Sequence, residues 1–241
     1  MLLSSIEDKI SACYIQNIPQ FTDFLTLEEA DQAQSLVEQS GLSYNFFGGY
    51  AEAGRRMLSL SLSAEEPSYP ICILCGYWDR FGEIGHRDIL GTVMATGIER
   101  KCMGDILVDA ENRRFFVFVV DRMQNYLIEN INRIGRCSIN WETVSSAEAI
   151  PDTLFEQIRL PVSSLRIDTV IASVWHLSRN LAQELIAEKK VFIDHRLVTK
   201  NTVQLFEKQA VVVRGYGKFI FLEENGLSKK GKTYILVKKY L

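Results

Sequence analysis

The sequence is short of the residues that staple a chain or carry its chemistry. Its 241 residues include five cysteines, five prolines and three histidines. Cys13, Cys72, Cys75, Cys102 and Cys137 are odd in number and scattered, which argues against a disulfide framework. Cys72 and Cys75 form a C-x-x-C within the apolar run YPICILCGYW. Residues three apart on a strand point to opposite faces, and no second C-x-x-C or nearby histidine completes a zinc site, so both read as small core residues. His86, His176 and His195 lie far apart, without a carboxylate or cysteine at ligand spacing, and no metal is expected. RGYGKF, residues 214–219, offers two glycines but no third and no helix after it, so no dinucleotide loop and no cofactor is expected. No apolar run approaches the roughly eighteen residues of a membrane span. The opening MLLSSIEDKI meets Glu7 and Asp8 too early for a secretory signal, so the cytoplasm is the expected compartment. Internal repeats and low-complexity segments are absent as well.

What is present is charge, unevenly spread. Residues 161–241 hold 14 Lys and Arg against 7 Asp and Glu, whereas residues 1–160 hold 13 against 23. A net charge of −3 therefore hides a basic C-terminal module on an acidic body. Such asymmetry points to a polyanion as partner of the basic part, with a solvated charged face as the alternative that local pattern must decide.

The chain reads as α+β in three parts. Residues 1–55 form an acidic helical segment, with Thr26 as N-cap of a helix through Val37 and Gly41 as its stop. Residues 56–160 alternate strands and helices. After the strand RMLSLSLS come YPICILCGYW, the helix HRDILGTVMATG, the strands GDILVDA and RRFFVFVV, the helix RMQNYLIENINRIG ending at Gly135, and the strand CSINWETV. That is β-α-β-β-α-β, the order of a ferredoxin-like or RNA-recognition-motif-like split unit, a fold that assigns no function by itself. RRFFVFVV carries Phe116 and Phe118 on one face, which suits a sheet core better than an exposed stacking strand. Pro151 and Pro161 bracket the expected boundary. Residues 161–241 then offer two short helices followed by short strands.

The second of those helices gathers the positive charge. Ser178 suits its N-cap and Arg179 projects from its first turn. Lys189 and Lys190 sit at its C-terminal end, where cations suit the helix dipole. The turn DHRL adds His195 and Arg196, and Lys200, Arg214 and Lys218 follow. Recognition of phosphates by shape requires such an array: a helix N-terminus, a guanidinium fork and point charges at fixed spacing.

These residues resemble the S4 RNA-binding domain, which reads R-[LI]-D, then S-R opening the second helix, then V-x-[VI]-[ND] on a strand. Arg166, Ile167, Asp168, Ser178, Arg179, Val191, Ile193 and Asp194 fall on those positions, and VVVRGYGKF on the later glycine-rich segment. The chain departs from the family at Lys190, at Asp194-His195 and at Gln209-Ala210, all turn positions. Most of the chain is also similar to the YlmH-type S4 proteins of bacteria, through His86, Arg87, Asp88, Leu90, Gly91, Gly97, Ile98, Arg100, Gly104, Asp105 and Ile106, and through the closing GLSKKGKTYILVKKY. That resemblance implies a non-enzymatic protein that binds structured rRNA and tRNA on the large ribosomal subunit, in quality control of subunits obstructed by peptidyl-tRNA. It implies neither DNA nor membrane as partner.

HRD at 86–88 shares its letters with kinases, but their lysine strand and D-F-G are missing. Asp88 suits a helix N-terminal turn, and His86, Arg87 and Arg100 either face RNA phosphate or belong to a capping structure alone. The expected RNA-binding set is thus Ser178, Arg179, Lys189, Lys190, His195, Arg196, Lys200, Arg214, Lys218, His86, Arg87 and Arg100, with no catalytic residue. Two other classes stay open. One is an RNA-modifying enzyme targeted by an S4 arm, although the Gly-Arg-Leu-Asp context of a pseudouridine synthase is missing. The other is an adaptor whose acidic N-terminal helices bind a basic protein.

Overall fold

The computed structural model describes residues 2–50, 53–144, 155–194, 196–228 and 231–240. The chain divides into two compact units between residues 151 and 152. Helix and sheet are mixed throughout, as an α+β chain requires.

The first unit opens with α1 (Leu2–Gln16), β1 (Gln20–Phe21), α2 (Leu27–Val37), β2 (Ser43–Phe47) and β3 (Met57–Ser61). Thr26 caps α2 in a reciprocal box: its hydroxyl accepts the Glu29 N–H at 3.2 Å, and the Glu29 carboxylate accepts the Thr26 N–H at 2.7 Å. Residues 1–55 are not purely helical. The run SYNFF becomes a strand, and β1 and β2 flank β3 in a three-stranded antiparallel sheet. The reason lies in β3, all five of whose residues are buried and whose backbone needs a partner on each side. Ile6, Cys13, Ala33, Val37, Leu58 and Leu60 pack between this sheet and the helices.

The same unit continues with β4 (Ile71–Trp78), α3 (His86–Ala95), β5 (Met103–Asp109), β6 (Arg114–Val120), α4 (Gln124–Asn130), β7 (Arg133–Ile134) and β8 (Cys137–Val144). Their antiparallel sheet runs β5-β6-β4-β8-β7. Helix α3 thus joins two strands, β4 and β5, that have β6 between them, and α4 leads through β7 to β8, which β4 separates from β6, the interleaving a split β-α-β pair produces. The helix expected to end at Gly135 ends earlier, at Asn130, and Gly135 instead turns the short β7-β8 hairpin in a left-handed conformation (φ 57°). Residues 115–120 of β6 are at most 1% exposed, so Phe116 and Phe118 are core. Phe24, Tyr50, Ala53 and Met57 join that core, which ties the N-terminal segment to the five-stranded sheet. Cys72 and Cys75 are buried there too, and desolvation pushes both thiols up, away from the thiolate a metal would need.

The second unit contains β9 (Phe155–Val162), α5 (Ile167–Val174), α6 (Arg179–Ala187), β10 (Val191–Ile193), β11 (Arg196–Leu197), β12 (Ala210–Val213), β13 (Gly217–Leu227) and β14 (Thr233–Tyr240). Its antiparallel sheet runs β11-β10-β12-β13-β14-β9. The boundary expected between residues 160 and 161 falls inside β9, which pairs with β14 from Phe155↔Tyr240 to Val162↔Thr233. Pro161 is tolerated because β9 is an edge strand, where a missing N–H leaves no ladder bond unmade. Ile167, Val170, Ile171, Ala182, Leu185 and Ile186 bring the two helices onto Val211, Phe219, Ile235 and Val237 of the sheet.

Two glycines should respond oppositely to alanine. At Gly49 (φ 99°) an added Cβ would lie 2.4 Å from the Phe118 ring, so Gly49→Ala should destabilise the first unit by about 2–4 kcal/mol. Gly91, inside α3, has nothing within 4 Å of its would-be Cβ, and Gly91→Ala should stabilise by about 0.5–1 kcal/mol. Denaturant melts of both variants check the signs.

Candidate nucleic-acid interface

Helix α5 begins after Arg166, and Asp168 in its first turn is fully buried. A lone buried carboxylate is costly, so it must collect donors. Arg166 donates through Nε to Oδ1 at 3.1 Å and through Nη2 to Oδ2 at 2.9 Å. From the other helix, Arg179 Nε donates to Oδ2 at 3.0 Å and Gln183 Nε2 at 2.9 Å. Arg179 and Gln183 are four apart on α6 and so share one face. Burial alone would push the Asp168 carboxyl up; the bonds from Arg166, Gln183 and Arg179 outweigh it and hold the group at about 2. One negative charge thus fixes two guanidiniums and leaves a surplus of one positive charge. The Arg179 side chain stays 51% exposed, so the clamp orients it without hiding it.

The other expected residues lie around this clamp in the chain. Ser178 caps α6, its Oγ accepting the Leu181 N–H at 3.1 Å. Lys189 is exposed in a left-handed conformation (φ 59°) just past α6. Lys190 pairs with Glu188 at 2.7 Å, with both side chains near half exposed, so solvent and salt leave that pair weak and open to exchange. The Lys190 carbonyl accepts the Arg214 N–H at 2.9 Å, which brings the turn after β12 against the end of α6. Arg214 lies 5.0 Å from the Phe192 ring centroid. Arg196 is exposed on β11, opposite Ile193. The turn before it is held by Asp194, whose carboxylate accepts the Ala210 N–H and the Gln209 amide, both at 2.9 Å. Lys200 is exposed; His195 lies outside the described residues. Lys218 is placed differently from an exposed phosphate contact. It is 8% exposed, on the sheet face opposite Phe219 and Phe221, with Nζ 4.9 Å from the Tyr240 ring.

In the first unit, His86 and Arg87 are exposed at the start of α3. Asp88 is a cap: its Oδ2 accepts the Gly85 N–H at 2.9 Å. Partial desolvation, then Arg100, lowers the His86 pKa. Arg100 is half-buried, and its Nη1 donates to the Met103 carbonyl at 2.5 Å and the Gly104 carbonyl at 3.0 Å. Among the described residues, no three or more His, Cys, Asp or Glu side chains are grouped so as to hold a metal.

Comparison with known proteins bears on this first unit. Residues 66–148 match a family described as "Putative RNA-binding domain in YlmH". This segment is similar to the RNA-binding domain of YlmH-type proteins. It contains α3, Arg100 and all five strands of the larger sheet. The chain is also 27% identical over 218 residues to the ribosome-associated protein quality control protein P2 of Bacillus subtilis, covering 88% of this chain and 84% of that protein. A solved structure of the cell division protein ylmH from Streptococcus pneumoniae shares the fold, with a TM-score of 0.53 at 24% identity over 62% of this chain and 93% of that one.

Three residues were not assigned these roles from the sequence, Gln183 and Asp168 in the second unit and Arg55 in the first. Gln183 has no signature of its own, and Asp168 was visible as a match but not as the common acceptor of two arginines. Arg55, which meets Arg100 at the Met103 carbonyl, lies 45 residues away from it in the chain.

Asp168→Ala should cost the second unit about 2–4 kcal/mol, since it strips two guanidiniums of their counter-ion. The pKa is depressed in the folded state, so the carboxylate's contribution is present above the ordinary 3.8 and is lost as pH falls through about 2. Wild type should therefore lose stability faster than Asp168→Ala between those values, as denaturant melts at a series of pH values will read.

Proposed function

We propose that the chain is a non-enzymatic RNA-binding protein that docks on structured rRNA and tRNA of the large (50S) ribosomal subunit. Its second unit is an S4 domain and its five-stranded sheet a ferredoxin-like domain. Its task is quality control of subunits obstructed by peptidyl-tRNA. The observation that carries this reading is the Asp168 clamp. A buried carboxylate that sets Arg179 at the start of α6, beside the Ser178 cap, pre-organises a fork-shaped donor for phosphate. Lys190, Arg196 and Arg214 add cations on neighbouring turns. Support for the ribosomal setting comes from the Bacillus relative, whose name places that protein at the ribosome in quality control.

The test is sedimentation of tagged protein from a cell lysate through sucrose gradients at low and moderate salt. Wild type should travel with free large subunits, and Arg179→Ala/Lys190→Ala should stay near the top. Raising the salt should release wild type, because phosphate contacts weaken as counter-ions compete. Wild type that never leaves the top fractions at low salt would remove the ribosomal reading.

A further inference from the structure

The first unit holds a second pair of arginines whose placement backbone stapling alone does not explain. Arg55 Nε donates to the Met103 carbonyl at 3.1 Å, and Arg100 Nη1 donates to the same oxygen at 2.5 Å. Arg55 also reaches the Phe24 carbonyl through Nη2 at 2.8 Å, and Arg100 the Gly104 carbonyl at 3.0 Å. Two like charges are thus set side by side, both half-buried, on neutral acceptors. The nearby carboxylates offset part of this charge at a distance and bond to neutral donors instead of to either guanidinium. Asp105 accepts the Tyr50 hydroxyl at 2.8 Å, the Gly54 N–H at 2.6 Å and the Arg55 N–H at 3.1 Å. Glu29, which also acts on Arg55, closes the α2 capping box. Among the described residues, neither guanidinium makes an ion pair within 4.0 Å.

The surroundings are built for close approach. A Cβ on Gly48 would fall 2.2 Å from the Arg55 carbonyl oxygen, and one on Gly104 2.7 Å from the Phe24 ring. The loop before β3 is thus folded tightly on itself at Arg55, Phe24 is pressed onto the sheet at Gly104, and the Gly54 and Arg55 N–H groups tie the loop to Asp105 of β5. Carbonyls could be satisfied by neutral donors, so holding two desolvated cations there is a cost that a bound anion would offset. Burial first and Arg55 second pull the Arg100 pKa down to about 10, against a smaller opposing pull from Asp105.

We infer that Arg55 and Arg100 together form a phosphate site of the first unit, gripping a phosphodiester of the same RNA whose other contacts lie on the Asp168-clamped surface. The inference rests on the RNA-binding reading and adds a site in which Arg55 lies outside the YlmH-type segment of residues 66–148. Two forks present several N–H donors to one phosphate, the geometry guanidinium pairs favour.

The full chain is titrated with a labelled RNA stem-loop across a salt series. The variants are Arg55→Gln/Arg100→Gln, Arg179→Ala/Arg196→Ala and all four changes together. The expected result is at least a tenfold loss of affinity for Arg55→Gln/Arg100→Gln, a salt slope shallower by one to two, and a further loss in the fourfold variant. If Arg55→Gln/Arg100→Gln melts like wild type and binds RNA with unchanged affinity and slope, while Arg179→Ala/Arg196→Ala binds weakly, this site is overturned and the RNA reading stands. If wild type binds no RNA, both fall. Should glutamine unfold the unit, phenylglyoxal mapping of wild type decides. RNA should protect Arg55 and Arg100, and inorganic phosphate at equal ionic strength should not. Protection by phosphate alone, or by neither, sinks the proposal.

Discussion

A buried carboxylate cannot stay charged unless it gathers donors, and Asp168 gathers them from both helices of the second unit. Arg166 approaches from its own helix start, Arg179 and Gln183 from the next helix. The apolar faces of α5 and α6 would pack on the sheet without it. The clamp adds direction: it sets the angle at which the Arg179 side chain leaves the surface. The desolvation cost of the ion and the orientation of the exposed fork are two sides of one arrangement.

The first unit uses arginine in another way. Arg55 and Arg100 are acceptor-hungry side chains placed against carbonyls at a crowded junction, where glycines let the loop before β3 touch the sheet. Among the described residues no carboxylate pairs with either guanidinium, and Asp105 acts on both only at a distance. The contrast is physical: in the second unit a buried carboxylate bonds two guanidiniums and leaves one partly exposed, whereas in the first two guanidiniums share a backbone carbonyl.

The charge segregation along the sequence takes on a meaning in this light. Acidic residues of the N-terminal part serve local structure, as Glu29 does in the α2 cap and Asp88 at the start of α3. Basic residues of the C-terminal part mostly end on turns and helix ends, where they are exposed. Lys218 departs from that pattern because a residue's position on a strand, rather than its charge, decides which way it points.

The sequence by itself determined the local elements: the Thr26 cap, the α3 and α6 boundaries, and the order of helices and strands that lead to a split sheet. Those depend on residues within a few positions of one another, and capping and periodicity report them. It also marked Ser178, Arg179 and Arg196 as surface candidates, since their neighbours set their exposure. Tertiary structure alone decided that SYNFF is a strand, that residues 155–162 belong to the second unit's sheet, and that Lys218 is buried, because each depends on a distant pairing partner. It alone joined Asp168 to Gln183 and Arg55 to Arg100. Hydrogen bonds to a shared acceptor leave no trace in spacing along the chain when the donors are brought together only by folding.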